Sequence, residues 1–255
     1  MTLAPLTQTR IEKAATDNGF DRALGPEDDW LVFASTQCPL RVWLRVFGEG
    51  FFIAAFSMKN VALALDLGTV IVNPLPEAAA GARSVADIPL LHRLLRRAFQ
   101  LSKALPNELL HTFEKQVAAL PKSTEAERLV VQRVGQDLFR QGLLDFWEGR
   151  CAVTGLAVPA LLRASHIKPW ADCESDAERL DVYNGLLLAP HLDAAFDQGF
   201  ITAQEDGAVV VSAALDEGAR GLLGLERPLR VRGLAEGHRS YLPWHRQHVF
   251  RGAGP

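Results

Sequence analysis

The chain has 255 residues, 48% of them hydrophobic and 22% charged, with a formal net charge of −3. That length builds one large or two medium domains around a sizeable core, and the charged share excludes wholesale disorder. The balance of charge excludes a global attraction to nucleic acid, so any polyanion site needs a local basic surface.

From the N-terminus, "TQTRIEKAATDNGF" predicts a short helix closed by Gly19. "WLVFAST" and "LRVWLRVF" predict strands, the second alternating Val42, Leu44 and Val46 against Arg41, Trp43, Arg45 and Phe47. "GEG" at 48–50 then turns the chain into "FFIAAFS", a hairpin. "MKNVALALDLG" predicts a helix and "TVIV" a short strand, while "NPLPEAAAGARSVADIP" predicts a loop or linker. From Leu90 the period becomes helical, with Leu91, Leu94, Leu95 and Phe99 as a buried stripe and Arg93, Arg96 and Arg97 on the solvated side. Further breaks are expected at Pro106 and at "LPKS", before a long helix from Thr124 to about Trp147 that opens with a capping box, Thr124 with Glu127.

Beyond it, "LLRASHI" and "NGLLL" predict two strands, and "HLDAAFDQG" a helix stopped by Gly199. This order could bring His166, Asn184, His191, Asp193 and Asp197 together, with Asp193 and Asp197 one turn apart on a helix face. Such donors suit a divalent cation such as Mg²⁺, Mn²⁺, Ni²⁺ or Zn²⁺. The plain alternative is that the histidines cap or coat helices and the aspartates charge a surface. His92 and His111 are not expected to be ligands.

The blocks "CAVTGLAVPALLRASHIKPW" and "RLDVYNGLLLAPHLDAAFDQGFI", in this order and spacing, resemble the HNH (ββα-metal, or His-Me finger) nucleases. The resemblance covers about residues 124–201, with its core at 150–201, and a looser extension to about 250 through "YLPWHRQHVFR". The chain as a whole reads as an α+β protein, with an N-terminal α/β module with a hairpin (1–85), a helical connector (86–123) and a C-terminal module (124–255) that the resemblance implies is an HNH domain. The resemblance implies a DNA endonuclease that hydrolyses phosphodiesters with a divalent metal, Mg²⁺ before Mn²⁺ or Ni²⁺, in restriction or defence against foreign DNA. His166 matches the general base, and Asn184 the asparagine whose side-chain oxygen would accept from the other ring nitrogen of that base. His191, Asp193 and Asp197 fall where metal ligands are expected. Two departures stand out. Ser165 occupies the place of an aspartate or histidine ligand. Only Cys151 remains where many members carry paired CxxC zinc ligands, so no structural zinc is expected.

Arg150, Arg163 and Lys168 are the nearby candidates for DNA contacts, joined by a run of arginines from Arg227 to Arg251. In the N-terminal module, Arg41, Trp43 and Arg45 interleave cation and aromatic as a base-stacking strand would, although packing on both faces is the commoner use of such a strand. One site cuts one strand, so duplex cleavage would take a homodimer or two successive nicks. The rival readings are a DNA-binding module with a degenerate HNH site, and a nuclease switched on by a ligand or partner sensed by the N-terminal module. The three cysteines, Cys38, Cys151 and Cys173, form no CxxC pair and fit a reducing compartment. With no apolar run of about 18 residues, a cytoplasmic protein without a membrane anchor is expected.

Overall fold

The alternating stretches near the N-terminus pair into one antiparallel sheet in a computed structural model that describes residues 4–47, 50–72, 75–105, 107–121 and 124–252. The architecture is α+β, and the chain divides into two units, Met1–Lys103 and Ala104–Pro255. No helix among the described residues is long and apolar enough to cross a membrane.

The first unit begins with α1 (Pro5–Asp17), started by a proline in its first turn and ended where Gly19 takes φ +92°, a value that costs glycine little. Strands β1 (Arg22–Glu27), β2 (Trp30–Ala34), β3 (Arg41–Phe47) and β4 (Phe51–Phe56) follow, then α2 (Lys59–Ala64), β5 (Thr69–Ile71), β6 (Gly81–Val85) and α3 (Ile88–Ala104). The sheet order is β1-β2-β3-β4-β6-β5. One face buries Trp30, Val32, Trp43, Ile53, Ala55 and Ala82 beneath Ile71, Leu75 and Ala79. The other carries Phe33, Val42, Leu44, Ala54 and Phe56, none more than 3% exposed. Burial on both sides explains why "FFIAAF" lacks alternation. Leu91, Leu94 and Leu95 of α3 are buried as the stripe predicts.

Two strands depart from the sequence reading. β1 was not predicted, because Gly25 and Pro26 interrupt it. It survives as an edge strand whose register shifts between Ala23 and Gly25, the place where glycine and proline are tolerated. β6 lies inside the expected linker and pairs with both β4 and β5. Its place in the sheet is set by distant partners rather than by its own composition. The expected turn at Gly48–Glu49, the Asn73–Pro74 stretch, and the breaks at Pro106 and Lys122–Ser123 lie outside the described residues.

The second unit packs α4 (Glu108–Val117) on α5 (Glu125–Phe146). The capping box forms as predicted: Glu127 N–H donates to Thr124 Oγ1 at 3.2 Å, and Thr124 N–H to Glu127 Oε2 at 2.8 Å. Then come β7 (Arg163–His166), α6 (Asp176–Arg179), β8 (Gly185–Leu188), α7 (Pro190–Asp197), β9 (Ile201–Ala203), β10 (Val209–Val211), α8 (Glu217–Leu222) and α9 (Leu242–His248). β7 and β8 are antiparallel, with Ser165 opposite Leu186 and His166 opposite Gly185. α5 comes close to this hairpin. A Cβ on Gly185 would lie 2.5 Å from Phe139 Cζ and 2.9 Å from Leu143 Cδ1.

The segment after β10 is tied down by two buried histidines. His238 sits among the rings of Phe146, Trp147 and Tyr183, its Nδ1 accepting from Ala235 N–H at 3.0 Å. His245 stacks on Phe196 at 3.9 Å and bonds Thr202 Oγ1 and the Phe196 carbonyl. Burial pushes both imidazoles down to about 4, as it does that of His166.

Gly185→Ala is expected to destabilise the protein by about 1–3 kcal/mol through overpacking against Phe139 and Leu143, seen as a lower thermal midpoint. Gly252→Ala, with nothing within 4 Å of the added methyl, should leave that midpoint unchanged. The three depressed histidines also set a pH dependence. Their folded values lie below the unfolded value near 6.5, so their neutral burial is fully stabilising above about pH 6.5 and is lost as pH falls towards 4. Each can contribute up to about 1.4 kcal/mol per pH unit across that window. The Asp197 carboxyl, raised to about 6, has the opposite sign and offsets part of the loss. Thermal melts from about pH 7 down to 4.5 should therefore fall steadily; a flat midpoint would contradict it.

Candidate active site

The β7–β8 hairpin and α7 place the candidate residues. His166 ends β7, Asn184 precedes β8, and Pro190 fits the first turn of α7, where its missing N–H is no loss. The His166 ring stacks on Phe139 of α5, with centroids 3.8 Å apart and planes at 15°, and meets Trp170 edge-on at 5.6 Å. Its Nε2 lies 2.9 Å from the Arg179 carbonyl. A carbonyl only accepts, so Nε2 carries the proton and Nδ1 keeps the lone pair. Burial lowers the imidazole to about 4, which keeps it neutral and able to take a proton at cellular pH.

Asn184 does not bond the His166 ring as the resemblance implied. Fully buried, its Oδ1 accepts from Lys168 N–H at 2.8 Å, and its Nδ2 approaches the Lys168 carbonyl at 3.1 Å, the Glu178 carbonyl at 3.2 Å and Cys173 Sγ at 3.3 Å. The Arg179 carbonyl takes the ring nitrogen instead. Asn184 therefore stands one step behind His166, closing the loop between β7 and β8 on both sides.

The acids are divided between two partners. Ser165, 1% exposed, donates its hydroxyl to Asp193 Oδ1. Asp197, one turn further along α7, stands at the rim of a cleft of about 310 Å³ that it lines with Ala164, His166, Pro169, Trp170, His245 and Val249. Although the residue is exposed at that rim, its carboxyl is pushed up to about 6, first by partial removal from water and then by the charge of Asp193. His191 is exposed. Two residues before Asp193, it points to another side of α7. Among the described residues, no group of three His, Cys, Asp or Glu side chains converges to hold a metal ion.

Two cleft residues escaped the sequence reading, His245 and Val249 of the C-terminal segment. The only signal was "YLPWHRQHVFR", a proline-started helix with a histidine on its buried side. At the other end of the hairpin, the buried Cys151 thiol accepts from Thr154 N–H at 3.4 Å and Ala189 N–H at 3.3 Å.

Of the DNA-contact candidates, Arg150 and Arg163 are exposed, whereas Lys168 is 8% exposed and holds Glu178 at 2.9 and 3.0 Å. The C-terminal arginines are less free than their sequence suggests. Arg230 pairs with Asp206, Arg239 with Glu236 and Arg246 with Glu205. In the first unit Arg41 is exposed, but Trp43 is 0% exposed and donates Nε1–H to Glu27, while Arg45 lies over the Trp30 ring at 4.3 Å. Packing, the alternative set beside base stacking, is what occupies Trp43.

No curated protein matches the chain. Residues 151–203 match a family model described as HNH endonuclease, a span that begins at Cys151 and takes in β7, β8, α7 and β9. With its antiparallel hairpin, following helix and histidine at the cleft, this segment of the second unit is similar to the HNH endonuclease family.

Proposed function

We propose that the protein is a divalent-metal-dependent DNA endonuclease in which His166 is the general base. The observation that carries this is the fixed tautomer of His166, whose Nε2–H is spent on the Arg179 carbonyl, in the same cleft as Asp197. A water in that cleft would lose its proton to Nδ1 as its oxygen attacks phosphorus, and the 3′ oxygen would leave, giving 5′-phosphate and 3′-hydroxyl ends. Phenylalanine beneath and tryptophan beside the ring hold its plane while the proton moves. The anionic phosphate raises the affinity of the buried imidazole for that proton.

Asp193 and Asp197 are the residues that would hold a cation. Partial removal from water and then the charge of Asp193 raise the Asp197 carboxyl, and a cation would relieve the repulsion between the two. Two carboxylates fit the manner in which Mg²⁺ binds, keeping waters and substrate phosphate as its remaining ligands. When bound, the ion supplies charge stabilisation at the phosphate and the leaving oxygen. The pairing of this module with a separate N-terminal unit supports a role in restriction or defence against foreign DNA, the first unit acting as reader.

A second reading has one observation in its favour. The Ser165 hydroxyl occupies Asp193, and the described residues lack a three-donor cluster, as a degenerate, DNA-binding site would.

Supercoiled plasmid incubated with Mg²⁺, Mn²⁺ or Ni²⁺ should be nicked or linearised, with EDTA abolishing cleavage. His166→Ala should slow it by about 10²–10⁴-fold, the usual worth of a general base. Undiminished cleavage by His166→Ala would sink the proposed chemistry, and retention of DNA without cutting under every metal would establish the second reading. Arg150→Ala and Arg163→Ala should each weaken DNA binding across sequences and lower the salt dependence by about one unit of slope, measured by fluorescence anisotropy at several salt concentrations.

A further inference from the structure

The loop between β7 and β8 contains one residue that grips it from both ends. Arg179 is the last residue of α6, a single turn capped by the Ser175 side chain. Carbonyls at a helix end have no partner within the helix, and that of Arg179 accepts from His166 Nε2–H at 2.9 Å. Its side chain meanwhile folds back along the loop. Nε donates to the Trp170 carbonyl at 3.2 Å, one terminal nitrogen to the Cys173 carbonyl at 2.6 Å, and the other to Asp176 Oδ1 at 3.1 Å. The guanidinium also lies 5.9 Å from the Trp170 ring, and the edge of that ring meets His166.

We propose that Arg179 is the positioning residue of the His166 base: its backbone selects the tautomer while its guanidinium fixes the loop that carries both that carbonyl and Trp170. This rests on the reading of His166 as general base. A planar fork with five N–H donors can satisfy three acceptors in different directions, whereas an ammonium is a point charge on a flexible stem, so lysine cannot substitute. Asn184 secures the neighbouring Glu178 carbonyl and the Lys168 backbone, and the Arg179 carbonyl carries the hydrogen bond from that frame to the ring.

The test uses the full chain, with Arg179→Ala and Arg179→Lys beside the parent. Long-range ¹H–¹⁵N correlation of the imidazoles, in metal-free protein near neutral pH, reports the His166 tautomer. His166→Ala assigns its signals. The parent should show the Nε2–H form, and both variants a mixture of the two tautomers. Plasmid nicking should lose roughly tenfold to a hundredfold in kcat, the scale of a small misplacement of a reacting group, with KM for DNA changed by less than about threefold. Thermal midpoints identify a variant that fails to fold, and if Arg179→Ala does so, Arg179→Lys decides. An unchanged tautomer in a folded variant would overturn the proposal, whatever the rate, as would an unchanged kcat. Full activity in His166→Ala would instead remove the general-base reading, and the spectra would still show whether Arg179 orients the ring.

Discussion

A single buried amide holds the loop between β7 and β8 in shape. Asn184 is enclosed by the segment it supports, and a polar side chain in that position must have its hydrogen-bonding groups answered or it costs more than it contributes. The Lys168 backbone and the Glu178 carbonyl answer them. Once they do, the two ends of the loop stand at fixed distances, α6 is seated, and its final carbonyl faces the imidazole. The Lys168–Glu178 ion pair and the bond from Glu174 N–H to the Glu178 carboxylate close the same frame from outside. Hydrophobic packing alone, being non-directional, would not select one nitrogen of one ring.

The ring is held from a second direction by α5, whose glycines permit close approach. Gly142 leaves room for Leu109 of α4, Gly135 for Trp170, and Gly185 of β8 for Phe139. A helix preceding the matched family segment thus forms the floor under the His166 ring. In the first unit the same economy of space appears in the sheet, where two buried faces leave Arg45 lying across the ring of Trp30, with that of Phe47 further off.

Much of this was legible in the sequence because it is local. The Thr124–Glu127 box, the strand that opens at Asn184–Gly185 and the helix over "HLDAAFD" that stops before Gly199 are decided within a few residues, and each lies where its chemistry placed it. What was illegible depends on contacts remote in sequence. β6 is a strand because β4 and β5 flank it, and Asn184 serves the loop because the Arg179 carbonyl already occupies the ring. The residue types at the cleft could be listed from spacing, but His245, 79 positions after His166, had no spacing to betray it. His191 shows the converse, a residue with the right name on another side of its helix.

The cleft's far wall belongs to the segment that includes His245 and Val249, and that segment is bound to the turn after α7: the Gly199 carbonyl accepts from Arg251 N–H, and a side chain at 199 would run into the Val249 carbonyl. Chains are made from the N-terminus onward. A nascent polypeptide that has already emitted His166, Asp193 and Asp197 still has an open trough in place of a cleft, and it remains one until the later segment emerges and docks. Assembly order thus separates the making of these side chains from the enclosure of the space between them.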